Sequence, residues 1–243
     1  MSVHRNTDNS FRIDWPQLTA GRLIKRYQRF LADVRLGNGA TVTAHCPNTG
    51  SMSGCCEPGR PVYLSRHDSP KRKLKYTWEL IEMPQSLVGI NTLIPNRLVT
   101  GSAAAGQIRE LRRYDDIRTE VKIGEHSRID LLLTGRNRRP CFVEVKNCSL
   151  VEKGTARFPD AVTLRGRKHL LELQKLARNG NRCVMFFFIQ RMDARRFRPA
   201  DEIDSDYART LRRVCKDGVE ILAYDVDVDL GGIRIRKKMP CLL

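Results

Sequence analysis

The chain has 243 residues, 41% hydrophobic and 29% charged, which is enough for one large domain or two small ones with packed cores. Lys and Arg number 44 against 27 Asp and Glu, a net charge of +17. That surplus repels itself unless an anionic partner relieves it, which points to a nucleic acid ahead of a plain solubility surplus or a membrane surface.

Up to about residue 85 the chain reads as strands. Residues 23–36 predict one or two strands, followed by the turn Gly37-Asn38-Gly39. Residues 40–46 alternate, and 61–65 and 76–81 are short and β-like, with Gly, Pro and Asn in the gaps. Several short strands without a helix predict an N-terminal oligonucleotide-binding (OB-like) β-barrel over residues 1–85. Beyond it, helical and strand signals mix. A helix is expected within 96–113, then strands at 117–123, 129–133 and 141–146. Residues 162–178 carry the apolar stripe Leu170, Leu173, Leu176 and Ala177, with Gly180 after the end. The apolar run at 183–190 predicts a central strand. A helix over 206–216 turns Tyr207, Leu211 and Val214 inward, and strands at 219–224 and 233–236 close the pattern. Residues 86–243 therefore read as an α/β domain with a mixed sheet, an α+β arrangement for the chain as a whole. Both parts are basic, +6 for residues 1–85 and +11 for the remainder.

The longest apolar run, CVMFFFI, is too short to span a bilayer, and residues 1–14 lack the apolar stretch of a secretory signal. No membrane partner is expected. The eight cysteines are scattered without a C-x-x-C pair, which fits free thiols in a reducing cytoplasm. His45, Cys46, Cys55, Cys56 and His67 match no familiar zinc spacing.

Three residues carry the chemistry. Asp130 interrupts the apolar strand IDLLL, where a carboxylate is costly to bury without a partner or a metal. Glu144 and Lys146 lie two apart in CFVEVKN, so their side chains share one face of a strand while Val143 and Val145 face the other way. Phosphodiester hydrolysis needs a divalent cation beside the phosphate, and Mg²⁺ takes a few carboxylates and keeps several waters. Asp130, Glu144 and the carbonyl of Val145 supply such a set, with Mg²⁺ or Mn²⁺ as the expected ion, and Lys146 supplies charge stabilisation. The competing reading is a structural Glu144–Lys146 ion pair.

The segments LIKRYQRFLADV, HCPNTGSM, KYTWELIE, GINTLIPN, EVKIGEHSRIDLLL, CFVEVKNCSL, FPDAVTLRGRKHL and GVEILAYDVDV, in order from Leu23 to Val228, resemble the sugar fermentation stimulation protein A (SfsA) family. The resemblance implies an OB barrel joined to a PD-(D/E)xK nuclease-like domain, non-specific DNA binding, and a regulatory link to sugar (maltose) metabolism in bacteria. It maps the nuclease superfamily's Asp, Glu and Lys onto Asp130, Glu144 and Lys146, with Ile129 where a proline often stands. An added carboxylate is expected from Glu120, with Glu110 as the alternative; Glu120 is equally placed to pair with Lys122 at the surface.

For DNA contacts, Arg165 and His169 lie one turn apart on the basic helix, and Thr163 stands at its start, as a cap or a phosphate ligand. In the barrel, Arg26, Arg29, Arg66, Lys71, Arg72, Lys73 and Lys75 are the candidate phosphate contacts, the last four within the loop SPKRKLKY. Single- or double-stranded DNA is the expected partner, with RNA as a further ligand this barrel type accepts. A binding-only regulatory protein is the alternative to a nuclease.

Overall fold

A computed structural model of the chain describes residues 10–124 and 127–243. Residues 1–9 of the polar N-terminal stretch, and residues 125–126 within EVKIGEHSRIDLLL, lie outside the described residues.

The N-terminal part forms the OB barrel. Strands β2 (Leu18–Tyr27), β3 (Leu31–Leu36), β4 (Thr41–His45), β5 (Pro61–Arg66) and β6 (Tyr76–Met83) follow one another, and β7 (Ser86–Gly89) forms a hairpin on β6. Alternate residues such as Ala32, Val34, Val62 and Leu64 turn inward around the fully buried Trp78. β4 pairs antiparallel with β3 and parallel with β6, which closes the order β2-β3-β4-β6-β5 into a ring and removes the free edges. Not all of the chain before residue 85 enters this barrel. β1 (Arg12–Asp14) instead pairs with the last strand of the chain, too short a segment for periodicity to reveal.

The second domain is built on a seven-stranded mixed sheet, ordered β1-β16-β15-β13-β10-β9-β8. Its members after β1 are β8 (Asp116–Lys122), β9 (Arg128–Thr134), β10 (Cys141–Cys148), β13 (Arg182–Ile189), β15 (Val219–Val228) and β16 (Gly232–Lys238). β10, β13 and β15 run parallel at the centre, and antiparallel strands flank them. β13, the CVMFFFI run, is buried on both faces, as a central parallel strand requires. Helix α1 (Ile94–Ala104) and the barrel residues Leu18, Tyr63 and Leu80 cover one face. Helices α2 (Leu164–Arg178) and α3 (Ser205–Lys216) cover the other.

The helix expected within 96–113 is shorter than its sequence suggests. It stops at Ala104 because Gly106 adopts φ +68, and a single 3-10 turn at Arg109–Leu111 follows. Two short strands, β11 (Leu150–Glu152) and β12 (Thr155–Phe158), pair with β14 (Arg196–Pro199) in a small sheet. Three or four residues carry too little alternation to announce a strand.

Barrel and sheet meet at the end of β13. Gly89 N–H donates to the Gln190 carbonyl at 2.9 Å, Val88 bridges to Arg191, and Met192 N–H donates to Ser86 Oγ at 2.9 Å. The buried Arg191 guanidinium donates to the Ser149 carbonyl at 2.9 Å and pairs with Asp193 at 2.6 Å. A Cβ at position 89 would overlap the side chain of Gln190, which is fully buried and cannot swing into solvent. Gly89→Ala is therefore expected to lower stability by about 1–3 kcal/mol, the cost of overpacking, measured by urea denaturation.

Candidate active site

The site is built where the sheet comes apart. β9 pairs with β10 through Leu133–Cys141, Leu132–Phe142 and Leu131–Val143, and there the pairing ends. The Val145 N–H that the next rung would have used donates instead to Asp130 Oδ2 at 2.7 Å. Asn96, near the start of α1, donates to the other Asp130 oxygen at 2.8 Å. On the outer side, Thr119 pairs with Leu131 and Val121 with Ile129, which sets Glu120 opposite Asp130 in unbroken register, while Glu120 takes φ +53. A left-handed Glu within a strand is strained, and such strain persists only where the surrounding structure holds it.

Glu144 and Lys146 lie on the α2 face of β10, as their spacing requires. Glu144 is almost completely buried. Its Oε1 accepts from Lys146 Nζ at 2.5 Å and contacts His169 Nδ1 of α2; Lys146 Nζ and His169 Nδ1 are 3.2 Å apart. The expected ion pair is thus present, but within a cluster of three groups. Burial pushes the Glu144 carboxyl up, and the bonds and charges of His169 and Lys146 outweigh it, holding the group below the usual range. Asp130 goes the other way. Burial, and then the Glu144 carboxylate beside it, push its pKa up to about 6.

These residues line a cavity of about 700 Å³. Glu120, Asp130, Glu144, Val145, Lys146, Arg165 and His169, all singled out in the sequence, come together there, with Lys122, Arg128 and Lys168 adding to the basic wall. Asn96 is the partner that sequence reading missed, although it lies in GINTLIPN; a polar residue entering an amphipathic helix carries no signal of a contact 34 residues away. Glu110, the alternative carboxylate, is elsewhere, accepting from Tyr224 Oη at 2.6 Å and Lys238 Nζ at 2.7 Å.

Several expected phosphate contacts have other work. The Arg26 guanidinium donates to the carbonyls of Arg29, Asn48, Gly50 and Ser51, which ties down the HCPNTGSM loop. Thr163 caps α2, its Oγ1 accepting from Gly166 N–H at 3.0 Å. Arg66 pairs with Asp68, and Arg72 donates to Thr77 Oγ1 at 3.2 Å. Arg29 and the exposed Lys71, Lys73 and Lys75 sit on two barrel loops away from the cavity. Register sets the strands that follow these loops on either side of His45: Leu31 pairs with His45, and His45 with Thr77.

The donor set suits a divalent cation. Two acidic side chains flank one backbone position and repel each other, Glu144 Oε2 is buried without a hydrogen-bond partner, and the Val145 carbonyl lies on the strand edge that faces Asp130. Among the described residues no group of three or more His, Cys, Asp or Glu side chains is gathered to hold an ion. A cation here would complete its shell with the main chain and water, as Mg²⁺ does.

A family profile described as "Sugar fermentation stimulation protein RE domain" matches residues 93–232, and one described as "SfsA N-terminal OB domain" matches residues 24–90. The chain belongs to the SfsA family. A sugar fermentation stimulation protein homolog of Geobacter sulfurreducens is 55% identical over 225 residues, covering 93% of this chain and 96% of that one. The homolog of Maricaulis maris is 53% identical over 223 residues, covering 91% and 95%. The structure of Pyrococcus furiosus SfsA in complex with Ca²⁺ superposes with a TM-score of 0.87 at 27% identity, covering 95% of this chain and 98% of that one. The OB barrel followed by a mixed-sheet α/β domain, the part that the RE-domain profile matches, is thus the fold of this SfsA family member. No helix among its described residues is long and apolar enough to cross a membrane.

The raised Asp130 pKa makes stability depend on pH in metal-free buffer. Between about pH 4 and 6 the folded protein holds this proton more tightly than the unfolded chain, so stability falls as pH rises through that window. Relative to Asp130→Asn, the wild type is expected to lose up to about 3 kcal/mol between pH 4 and 7 in EDTA, read from urea midpoints.

Proposed function

We propose that this protein binds DNA with little sequence preference and hydrolyses its phosphodiester bonds at the Asp130–Glu144–Lys146 site, with Mg²⁺ or Mn²⁺, in the cytoplasm. The observation that carries the reading is the pair of carboxylates around Val145, with Lys146 on the Glu144 face, inside a cavity walled by Lys and Arg. A divalent cation, when bound, supplies Lewis acidity and charge neutralisation beside the phosphate. Asp130 and Glu144 would hold it, with the Val145 carbonyl. Lys146 is placed to steady the negative charge that develops on the phosphate oxygens. His169 orients Glu144, and Arg165 faces the entering backbone from the same helix turn. Glu120 lines the outer wall and is placed to hold a water or a second cation.

The barrel supports the same reading. Its loops 28–30 and 67–75 correspond to the pair through which OB barrels take oligonucleotides, and they carry Arg29, Lys71, Lys73 and Lys75. The second reading is a regulator that binds without turnover, and one contact favours it: Glu144 Oε1 is already held by Lys146 and His169.

Labelled single- and double-stranded DNA incubated in Mg²⁺, Mn²⁺ or EDTA separates the two. Metal-dependent cleavage is expected, falling to the EDTA background in Glu144→Ala and by about 10²–10³-fold in Lys146→Ala, the usual loss of one charge-stabilising donor. Binding without cleavage under every metal condition would instead establish the regulator. Separately, replacing Lys71, Lys73 and Lys75 together by Gln is expected to make the slope of log affinity against log salt shallower by about 2–3, since each phosphate contact contributes about 0.7–0.9. An unchanged slope in anisotropy titrations would remove this loop from the interface.

A further inference from the structure

A second, smaller groove lies between the barrel and the start of α2. Its volume is about 320 Å³, and Arg29, Thr49, Gly50, Ser51, Val162 and Thr163 are among its walls. It leads toward the cavity along one helix start, because Thr163 lines the groove and Arg165 lines the cavity.

Exposed apolar side chains lie in this groove and on the segments that adjoin it in sequence. Eight large ones stand exposed among the described residues, and Leu242 and Leu243 are simply the chain end. Of the other six, four belong here. Val162, 71% exposed, lines the groove, and Leu164, 69% exposed, follows Thr163. Phe30 follows Arg29 in the β2–β3 turn. Leu93, 67% exposed, follows Thr92, whose Oγ1 donates to the Pro47 carbonyl at the foot of the same barrel loop. Single exposed apolar residues need no explanation, but a cluster bordering a basic channel does.

The cluster is held in place. Met52 N–H donates to Asp160 Oδ2 at 3.0 Å and Ser51 Oγ to the Asp160 carbonyl at 2.7 Å, which pins the barrel loop to the segment before α2. Thr163 N–H donates to Asp204 Oδ2 at 2.8 Å, fixing the helix start. Leu93 is the N-cap of α1, three residues before the Asn96 that holds Asp130.

We infer that this rim takes unpaired nucleobases and that the DNA presented to the cavity is single-stranded. The inference rests on the nuclease reading for what happens in the cavity, and on the basic groove for how the strand arrives there. In a duplex the base faces are stacked on one another, so an apolar rim finds only sugars, phosphates and groove edges. A single strand offers a base face at every nucleotide beside a phosphate at every nucleotide. Apolar Phe30, Val162 and Leu164 alternate with Arg29 and Arg165 along two segments, and Phe30 supplies the aromatic face on which single-strand binders stack a base.

The test is anisotropy binding in EDTA, at one fixed salt concentration, to a labelled single strand and to a blunt duplex of equal length. The wild type is compared with the double variant Val162→Ser, Leu164→Ser, whose exposed positions leave the core untouched; a thermal melt checks its fold. The wild type is expected to prefer the single strand, and the variant to lose about tenfold or more on the single strand with less than about a twofold change on the duplex. A 2-aminopurine base in the single strand should change its fluorescence on binding the wild type and respond less with the variant. Equal losses on both DNAs, or no loss on the single strand, would overturn the inference. A wild type that binds neither DNA overturns the proposed function and this inference with it. Rim-dependent single-strand binding without cleavage in Mg²⁺ or Mn²⁺ upholds the rim and removes only the nuclease reading.

Discussion

The hydrogen bond from Val145 N–H to Asp130 Oδ2 sets the geometry of everything around it. A backbone donor inside a sheet must be satisfied, and here a side chain replaces the neighbouring strand. That substitution lets β9 part from β10 after a single run of paired residues. The parting brings Asp130 beside Glu144 and turns a strand edge toward solvent. The left-handed Glu120 faces Asp130 from the next strand, and the cavity opens at this level.

Electrostatics at this point are balanced in opposite directions. Glu144 is buried among cationic donors and stays ionised, whereas at Asp130 burial and the Glu144 carboxylate outweigh the Val145 and Asn96 amides, and its proton is held more tightly. Two carboxyl groups whose environments push them apart in this way are a pattern that acid–base sites share with buried ion-pair networks. Lys146 is the counter-charge that lets Glu144 remain buried. The pair is therefore both the structural ion pair that the E-x-K spacing suggests and the core of the site, and burial removes the distinction between those two readings.

The position of the barrel follows from the same sheet. β13 ends against β7, and Gly89, Gln190 and Arg191 lock the two domains where the central strand leaves the core. Asp160 holds the barrel loop 48–52 against the segment entering α2. Arg29 consequently lines the same groove as Val162, one residue from the N-cap of the helix that carries Arg165 and His169.

Much of this was legible in the residues alone. The barrel strands, the central CVMFFFI strand, α2 and α3 follow from periodicity and punctuation, because burial of one face imposes its period on the chain. The shared face of Glu144 and Lys146 follows from the two-residue repeat of a strand, and the cost of burying Asp130 in IDLLL marks it as needing partners. What those partners are was decided only by tertiary structure. Asn96 and His169 reach the carboxylates from helices remote in sequence, and no local pattern encodes a contact between elements. Arg26 and Thr163 have the residue types of phosphate ligands, yet folding gave their hydrogen bonds to a loop and a helix start. The strand β1 joins the far edge of the sheet, a pairing of three residues across the whole chain. Local sequence sets which faces are apolar and where charge is available; which charged group meets which is settled when the sheets close, because those distances exist only in the packed molecule.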